Sequence, residues 1–235
     1  GIVDKINEKY GVLDSIFGNG FGRAKNIKET AKLLITNRLD KSVSVNRFTE
    51  LYPAEFFREI GFKEIPKQRN IYRGIERIGM RFNLLMEKYQ EFIQKNGLAS
   101  NQQFMDFSSS YFEGSKSELG ALGYSRDSQP GKKQITWGIS TGINEIPTAL
   151  TIQKGNLQDK KHFGILLKTC EKILPANSLL VFDCGANTKK NKEKIRAKGF
   201  HYLTLKQKKK APYKKLLKKF RKLEKQVIVI NGVEY

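Results

Sequence analysis

The sequence predicts an α/β protein, a mixed sheet with flanking helices preceded by a small all-helical domain. Two observations carry this. Apolar residues recur at helical spacing from Asn26 to Leu98, whereas after Ser100 the pattern shifts to short strand-like runs. Beyond Lys160 those runs alternate with helical stretches, as in a sheet covered by helices.

The elements follow in chain order. Residues 1 to about 25 begin with a mixed helical pattern and end in glycines at 18, 20 and 22. Their Gly-x-Gly-x-Gly spacing lacks a preceding strand, so a hinge is expected in place of a phosphate loop. Within 26–100, Ala31, Leu34, Ile35 and Leu39 mark one helix that stops at Asp40. Ser44 or Asn46 suits a cap for a short helix through Leu51, and Pro53 suits the start of the next. Ile71, Ile75, Ile78, Phe82, Leu85, Met86 and Tyr89 form a further apolar stripe ending at Gly97, with Arg73, Arg77, Arg81 and Lys88 off it. These basic helices fit either a DNA-binding bundle or a purely structural one.

From 101 to 235 the prediction is a strand at Phe104–Phe107, strands at 134–140 and 146–153 joined by a turn, and a helix at 160–173 ended by Pro175. A buried strand at 178–182, a helix at 187–198 and a strand at 200–205 complete the set. Three antiparallel strands followed by alternating helix and strand is the ribonuclease H-like order. The lysine-saturated stretch 206–225 precedes a strand at 227–230 and an Asn231-Gly232 hairpin signal. Because the chain opens on Gly1 and closes just past that turn, a C-terminally truncated core is expected.

Composition narrows the chemistry. Lysine and arginine number 44 against 23 acids, giving a formal charge of +21, which points to a polyanionic partner. Fifteen Phe and nine Tyr supply enough apolar surface for a core, so wholesale disorder is excluded. No apolar run approaches the roughly 18 residues of a spanning helix, and no secretory leader is visible, so neither membrane nor export is expected. Cys170 and Cys184 are too few for a disulfide framework or a structural zinc site, and His162 and His201 too few for a zinc enzyme. Any metal should be a hard cation on carboxylates.

Asp106 and Asp183 are the carboxylates that stand out. Asp106 sits between Met105 and Phe107, and Asp183 ends the run Leu179-Leu180-Val181-Phe182. A carboxylate buried in such a strand is costly unless paired or metal-bound. In the predicted topology the first and fourth strands are neighbours, so the two acids converge. Converging carboxylates beside a polycation suggest phosphoryl chemistry on divalent ions.

Several stretches in order, Asp106 to Glu113, Leu122 to Asp127, Lys133 to Ile135, Ile146-Pro147, Gly155-Asn156 with Asp159, and Val181 to Ala186, resemble the catalytic core of insertion-sequence DDE transposases of the insertion-sequence-four superfamily. Leu33 to Leu39 resembles the DNA-binding region before that core. The resemblance covers about residues 30 to 205. It implies an RNase H-like fold and Mg²⁺- or Mn²⁺-dependent cleavage and transfer of strands at element ends. It also implies double-stranded DNA as partner, self-association as a dimer on DNA, and a prokaryotic, cytoplasmic, nucleoid-associated setting. Asp106 and Asp183 match the first two of three catalytic, metal-binding acids. No match for the third, a glutamate on a Tyr/Arg/Lys helix, is found, and Glu193 lacks that signature. Cys184 stands where relatives often carry Arg.

Around this centre, Tyr124, Ser125, Arg126, Lys132 and Lys133 form a loop that suits DNA contact and equally a solvated hairpin. Lys208, Lys209, Lys210, Lys214 and Lys215 are expected to bind phosphates without sequence preference. Trp137 is expected in the core and Asp159 as a helix cap. Two other readings stay open, an inactive DNA-binding transposase remnant and a basic RNA-associated protein.

Overall fold

The computed structural model describes residues 1–18, 26–114, 116–124 and 128–205, and the short pieces 214–216, 218–219, 229–230 and 233–234. Helices α1 (Ile2–Tyr10), α2 (Val12–Phe17), α3 (Ile27–Leu39), α4 (Phe48–Leu51), α5 (Ala54–Ile60), α6 (Gln68–Met80) and α7 (Phe82–Lys95) come first, with one 3₁₀ turn at Val45–Arg47. Then follow β1 (Gln102–Tyr111), β2 (Gln134–Gly142), β3 (Pro147–Lys154), α8 (Asp159–Cys170), β4 (Leu179–Phe182), α9 (Lys189–Ala197) and β5 (His201–Thr204). A two-stranded hairpin, β6 (Val229–Ile230) with β7 (Val233–Glu234), lies apart from the sheet, and the turn residues 231–232 are outside the described residues.

The helical part is held by specific polar contacts as well as by apolar packing. Lys32, although lysine is rarely buried, is nearly enclosed on α3. It donates to the Glu59 carbonyl at 3.0 Å and pairs with Asp4, tying α1, α3 and α5 together. Asp14 on α2 pairs with Lys28. The first helices are therefore packed parts of the bundle, and of the expected hinge only Gly18 falls among the described residues. On α3 the expected stripe is rotated. Leu33 is buried while Leu39 is 64% exposed, because Thr30 and Asn37 belong to the inner face. Asn37 fits there by bonding both the Val43 carbonyl and the Val43 N–H, at 3.0 and 3.2 Å.

The single long stripe expected from Ile71 to Tyr89 is two helices. The break falls at Arg81, whose N–H turns to the Ile78 carbonyl at 3.1 Å, one residue tighter than in an α-helix. Breaking there lets α6 lay Ile71 and Gly74 against α3, while α7 turns Phe92 and Ile93 toward the sheet domain. Gly74 has no room for a Cβ, which would overlap Thr30 on α3. Gln90 of α7 donates to the carbonyls of Thr148 and Thr169, at 3.0 and 2.9 Å, joining the bundle to β3 and α8.

The sheet order is β3-β2-β1-β4-β5, with β1, β2 and β3 antiparallel and β4 and β5 parallel to β1 and to each other. This is the RNase H-like arrangement. β1 runs longer than the apolar run Phe104–Phe107 suggested, because Ser108, Ser109 and Ser110 continue the ladder against Trp137, Thr136 and Ile135. Side chains alternate across it. Met105, Phe107, Leu180 and Phe182 point to one side and pack with Phe163, Leu166 and Leu167 of α8 and Ile195 of α9. Trp137 is half-buried on the opposite face, donating to Ser110 Oγ at 3.2 Å, and does not join that core.

His162 is fully buried in the same layer. Thr151 Oγ1 donates to the Gly138 carbonyl at 3.3 Å, so the 2.8 Å contact to His162 Nε2 is assigned as the imidazole N–H donating to that hydroxyl. Nδ1 is then left as an acceptor with no partner. Burial lowers the imidazole to about 4 from an ordinary 6.5. The unfolded chain therefore takes up this proton first as pH falls, and stability is lost between about 6.5 and 4. Urea unfolding at pH 7 and pH 5 is expected to show a loss of about 2 kcal/mol, flattened by His162→Gln. The same loss in the variant would place the proton elsewhere.

Candidate functional site

The register β1 to β4 pairs Phe104 with Val181 and Met105 with Phe182. Asp106 and Asp183 are the next residue on each strand. Strand alternation puts Asp106 on the side away from α8 and α9, whereas Asp183, just past the end of β4, turns its carboxylate to the Gly185 N–H; neighbouring strands are about 4.8 Å apart. The sheet thus brings the two predicted acids to adjacent backbone positions. Both are exposed, against the expectation of burial. Their face is uncovered, as the row Phe104–Val181–Leu203 shows, with Phe104 48% and Leu203 60% exposed. Water reaches the carboxylates, so their charge needs no buried partner.

Asp183 occupies a braced turn. Its Oδ1 accepts from the Gly185 N–H at 2.9 Å, and its carbonyl accepts from Thr204 Oγ1 of β5 at 3.1 Å. Downstream, Thr188 caps α9 by accepting from the Asn191 N–H at 3.1 Å. Asn191, almost wholly buried, donates to the carbonyls of Ala186 and Lys160, at 2.9 and 3.0 Å. That amide fastens the Asp183 turn to the start of α8. Asp106 Oδ1 accepts from the Phe107 N–H at 2.8 Å.

Two features escaped the sequence reading. Gly185 leaves a gap into which carboxylates reach. A Cβ there would lie 2.8 Å from Asp159 Oδ2, 3.2 Å from Asp183 Oδ1 and 3.5 Å from Asp183 Oδ2. Beside it a cavity of about 370 Å³ opens between Ser109, Thr136, Asn156, Asp159 and Gly185. Asp159 is the first residue of α8 and not its cap; the N-cap position is Gln158, whose side chain makes no capping bond. The Asp-x-Gly spacing at 183–185 was the available signal, since a short acid often bonds the backbone N–H two residues on.

The other predicted residues are dispersed. Lys132 pairs with Glu113 and lies 5.0 Å above the Tyr111 ring. Lys133 is exposed next to it. Lys214 and Lys215 are exposed on a helical piece, while Arg126, Lys208, Lys209 and Lys210 lie outside the described residues. Glu193 pairs with Lys189 on α9 at 3.9 Å. Among the described residues no group of three or more Asp, Glu, His or Cys side chains is arranged to hold a metal. Cys170 and Cys184 are both free, and burial pushes the Cys170 thiol up to about 12, which makes it inert. No helix of the described residues is long and apolar enough to cross a membrane.

The expected ligands Asp106 and Asp183 offer carboxylate oxygen alone, which suits a hard divalent cation and not zinc. The gap at Gly185 and the Ser109 hydroxyl, buried without a partner, agree with a polar guest at this end of the sheet. Comparison with solved structures gives the fold a relative. The chain is similar to piggyBac transposase in its synaptic complex with hairpin DNA, at a TM-score of 0.51 and 9% identity. That match covers 92% of this chain and 50% of the other, so the chain spans half the length of that transposase. The Mos1 transposase paired-end complex also matches, with 10% identity over 86% of this chain and 73% of its own, but a TM-score of 0.32 carries no weight. No family profile and no curated protein matches.

Exposure separates the two acids from the residues beside them. Asp106→Asn and Asp183→Asn are each expected to change unfolding free energy by less than about 0.5 kcal/mol, whereas Met105→Ala and Phe182→Ala should cost about 2–5 kcal/mol. Urea titration of the four variants checks this, and a large loss in either asparagine variant would contradict the open-face placement.

Proposed function

We propose that this chain is the core of a DDE-type DNA transposase of the insertion-sequence kind, binding duplex DNA and acting on its phosphodiesters. The observation that carries the proposal is the pair Asp106 and Asp183, both exposed, which follow the paired residues Met105 and Phe182 of β1 and β4 in an RNase H-like sheet. The charge of +21 and the fold shared with a transposase support it.

In this reading Asp106 and Asp183 hold Mg²⁺ or Mn²⁺, which when bound supplies charge neutralisation at the phosphate and activation of the attacking oxygen. The chain's own residues do the rest. The Gly185 N–H and the Thr204 hydroxyl fix the turn that aims Asp183. The Phe107 N–H holds one oxygen of Asp106 and leaves the other to accept. The lysines supply sequence-independent contacts to phosphate, positioning the strand while the acids face it.

A second reading, a DNA-binding remnant that occupies element ends without cutting, is favoured by one observation. Among the described residues no third acid completes a metal-binding group with these two.

Duplex binding by the full chain is expected to weaken steeply with salt, with a slope of about −0.9 per neutralised phosphate. Gel-shift titrations at several salt concentrations measure this, and binding that ignores salt, or favours structured RNA at equal salt, would overturn the DNA assignment. Nicking by this chain alone in Mg²⁺ is expected to be weak or absent. Strong nicking lost on Asp106→Asn would instead show the two acids to be sufficient and exclude the remnant.

A further inference from the structure

We infer that the outer face of α6 is the base-reading surface of the protein, entering the major groove of duplex DNA with Arg69, Arg73 and Glu76. The inference rests on reading the chain as a DNA-binding protein. It adds which helix meets the bases, a role that net charge alone leaves open.

α6 has two distinct faces. Ile71 and Gly74 are buried and Ile75 and Ile78 half-buried, all on the side turned to the bundle. Gly74 lies so close to Thr30 of α3 that no Cβ fits between them, so the helix is seated firmly. On the opposite side Arg69, Tyr72, Arg73 and Glu76 recur at i, i+3, i+4 and i+7, and all four are exposed. At a rise of about 1.5 Å per residue, Arg69 to Glu76 spans about 10 Å, or about three base steps. A helix fits the major groove, which is about 12 Å wide.

The charge on this face is uncompensated. From Lys67 to Arg81 there are five cations and one acid, Glu76. Nearby, Arg47 and Arg58 pair with Glu50 and Glu55. Among the described residues no carboxylate pairs with Arg69 or Arg73. The first turn of α6 holds no acid, although the helix dipole favours one there. A polyanion is the partner this face complements.

The residue types favour bases over phosphates alone. Arginine forks onto guanine O6 and N7, and glutamate accepts from cytosine N4. The outward lysines of α9 are point charges suited to phosphate, and its Arg196 bonds the Tyr202 hydroxyl at 2.7 Å. α7 exposes Glu87 and Glu91, and α3 exposes Ile35 and Leu39, so neither offers the same chemistry. The α6 face is also partly ordered in advance. Asn46 Oδ1 accepts from the Tyr72 hydroxyl at 2.6 Å and from the Gln68 amide, which fixes the ring beside Arg69 and Arg73. Ordering before contact lowers the entropy lost on binding.

The test is selection by the full chain from a pool of randomised duplexes, comparing wild type with Arg69→Ala, Arg73→Ala and Glu76→Ala. Lys95→Ala, an exposed cation at the end of α7, serves as the control for lost charge. The substitutions lie on exposed helical positions where alanine is favourable, and thermal melts confirm folding. Wild type is expected to enrich a preferred sequence. Each α6 variant should lose at least about fivefold of the discrimination within one stretch of about three base pairs, with the control unchanged. If all three variants select the wild-type sequence as strongly, α6 is not the reader and the DNA reading stands. If wild type binds duplex in a salt-dependent way but enriches no sequence, the inference again falls alone. If wild type binds no duplex, or prefers structured RNA at equal salt, the DNA reading and the inference fall together.

Discussion

The parallel pairing of β1 with β4 is the constraint on which the site depends. These strands are about 75 residues apart in the chain, and their four-residue ladder decides which residue faces which. A shift of one residue would bring Phe182 into water and its exposed neighbours into the core. The register is held by the core beneath it. Met105 and Phe182 lock into the same apolar layer as Phe163, Leu166 and Leu167, so the two acids are neighbours because the residues just before them are packed.

Exposure and convergence belong together. Two carboxylates on adjacent strands repel by about 1 kcal/mol in water, and by far more in an apolar interior. An open face makes the pair tolerable without metal and leaves room for a cation and a large polyanion. The braced turn at 183–188 then does for Asp183 what the strand does for Asp106, fixing a flexible acid from its backbone. In the proposed function the net positive charge of the chain draws nucleic acid from a distance, while the two acids are kept for the ion.

Much of this was legible in the residues. The βββαβαβ order, the start of α5 at Pro53 and the stop after α7 at Gly97 follow from period and punctuation, which are local properties. What the sequence hid depends on contacts between distant segments. The break at Arg81 carries no proline and is set by the different partners of α6 and α7. The inner face of α3 includes Asn37, which apolar periodicity cannot find because its burial rests on bonds to Val43. The exposure of Asp106 was missed for a similar reason. Apolar neighbours suggest burial, yet alternation sends Met105 and Phe107 inward and Asp106 outward. The Gly185 gap joins residues 159 and 183, and only the folded chain brings them together.

The most direct measurement is an anomalous difference map from crystals of the chain soaked in Mn²⁺. The account predicts a peak within coordination distance, about 2.0–2.3 Å, of carboxylate oxygens of both Asp106 and Asp183. A map with no peak at either acid, or with manganese only at distant surface carboxylates, would contradict it.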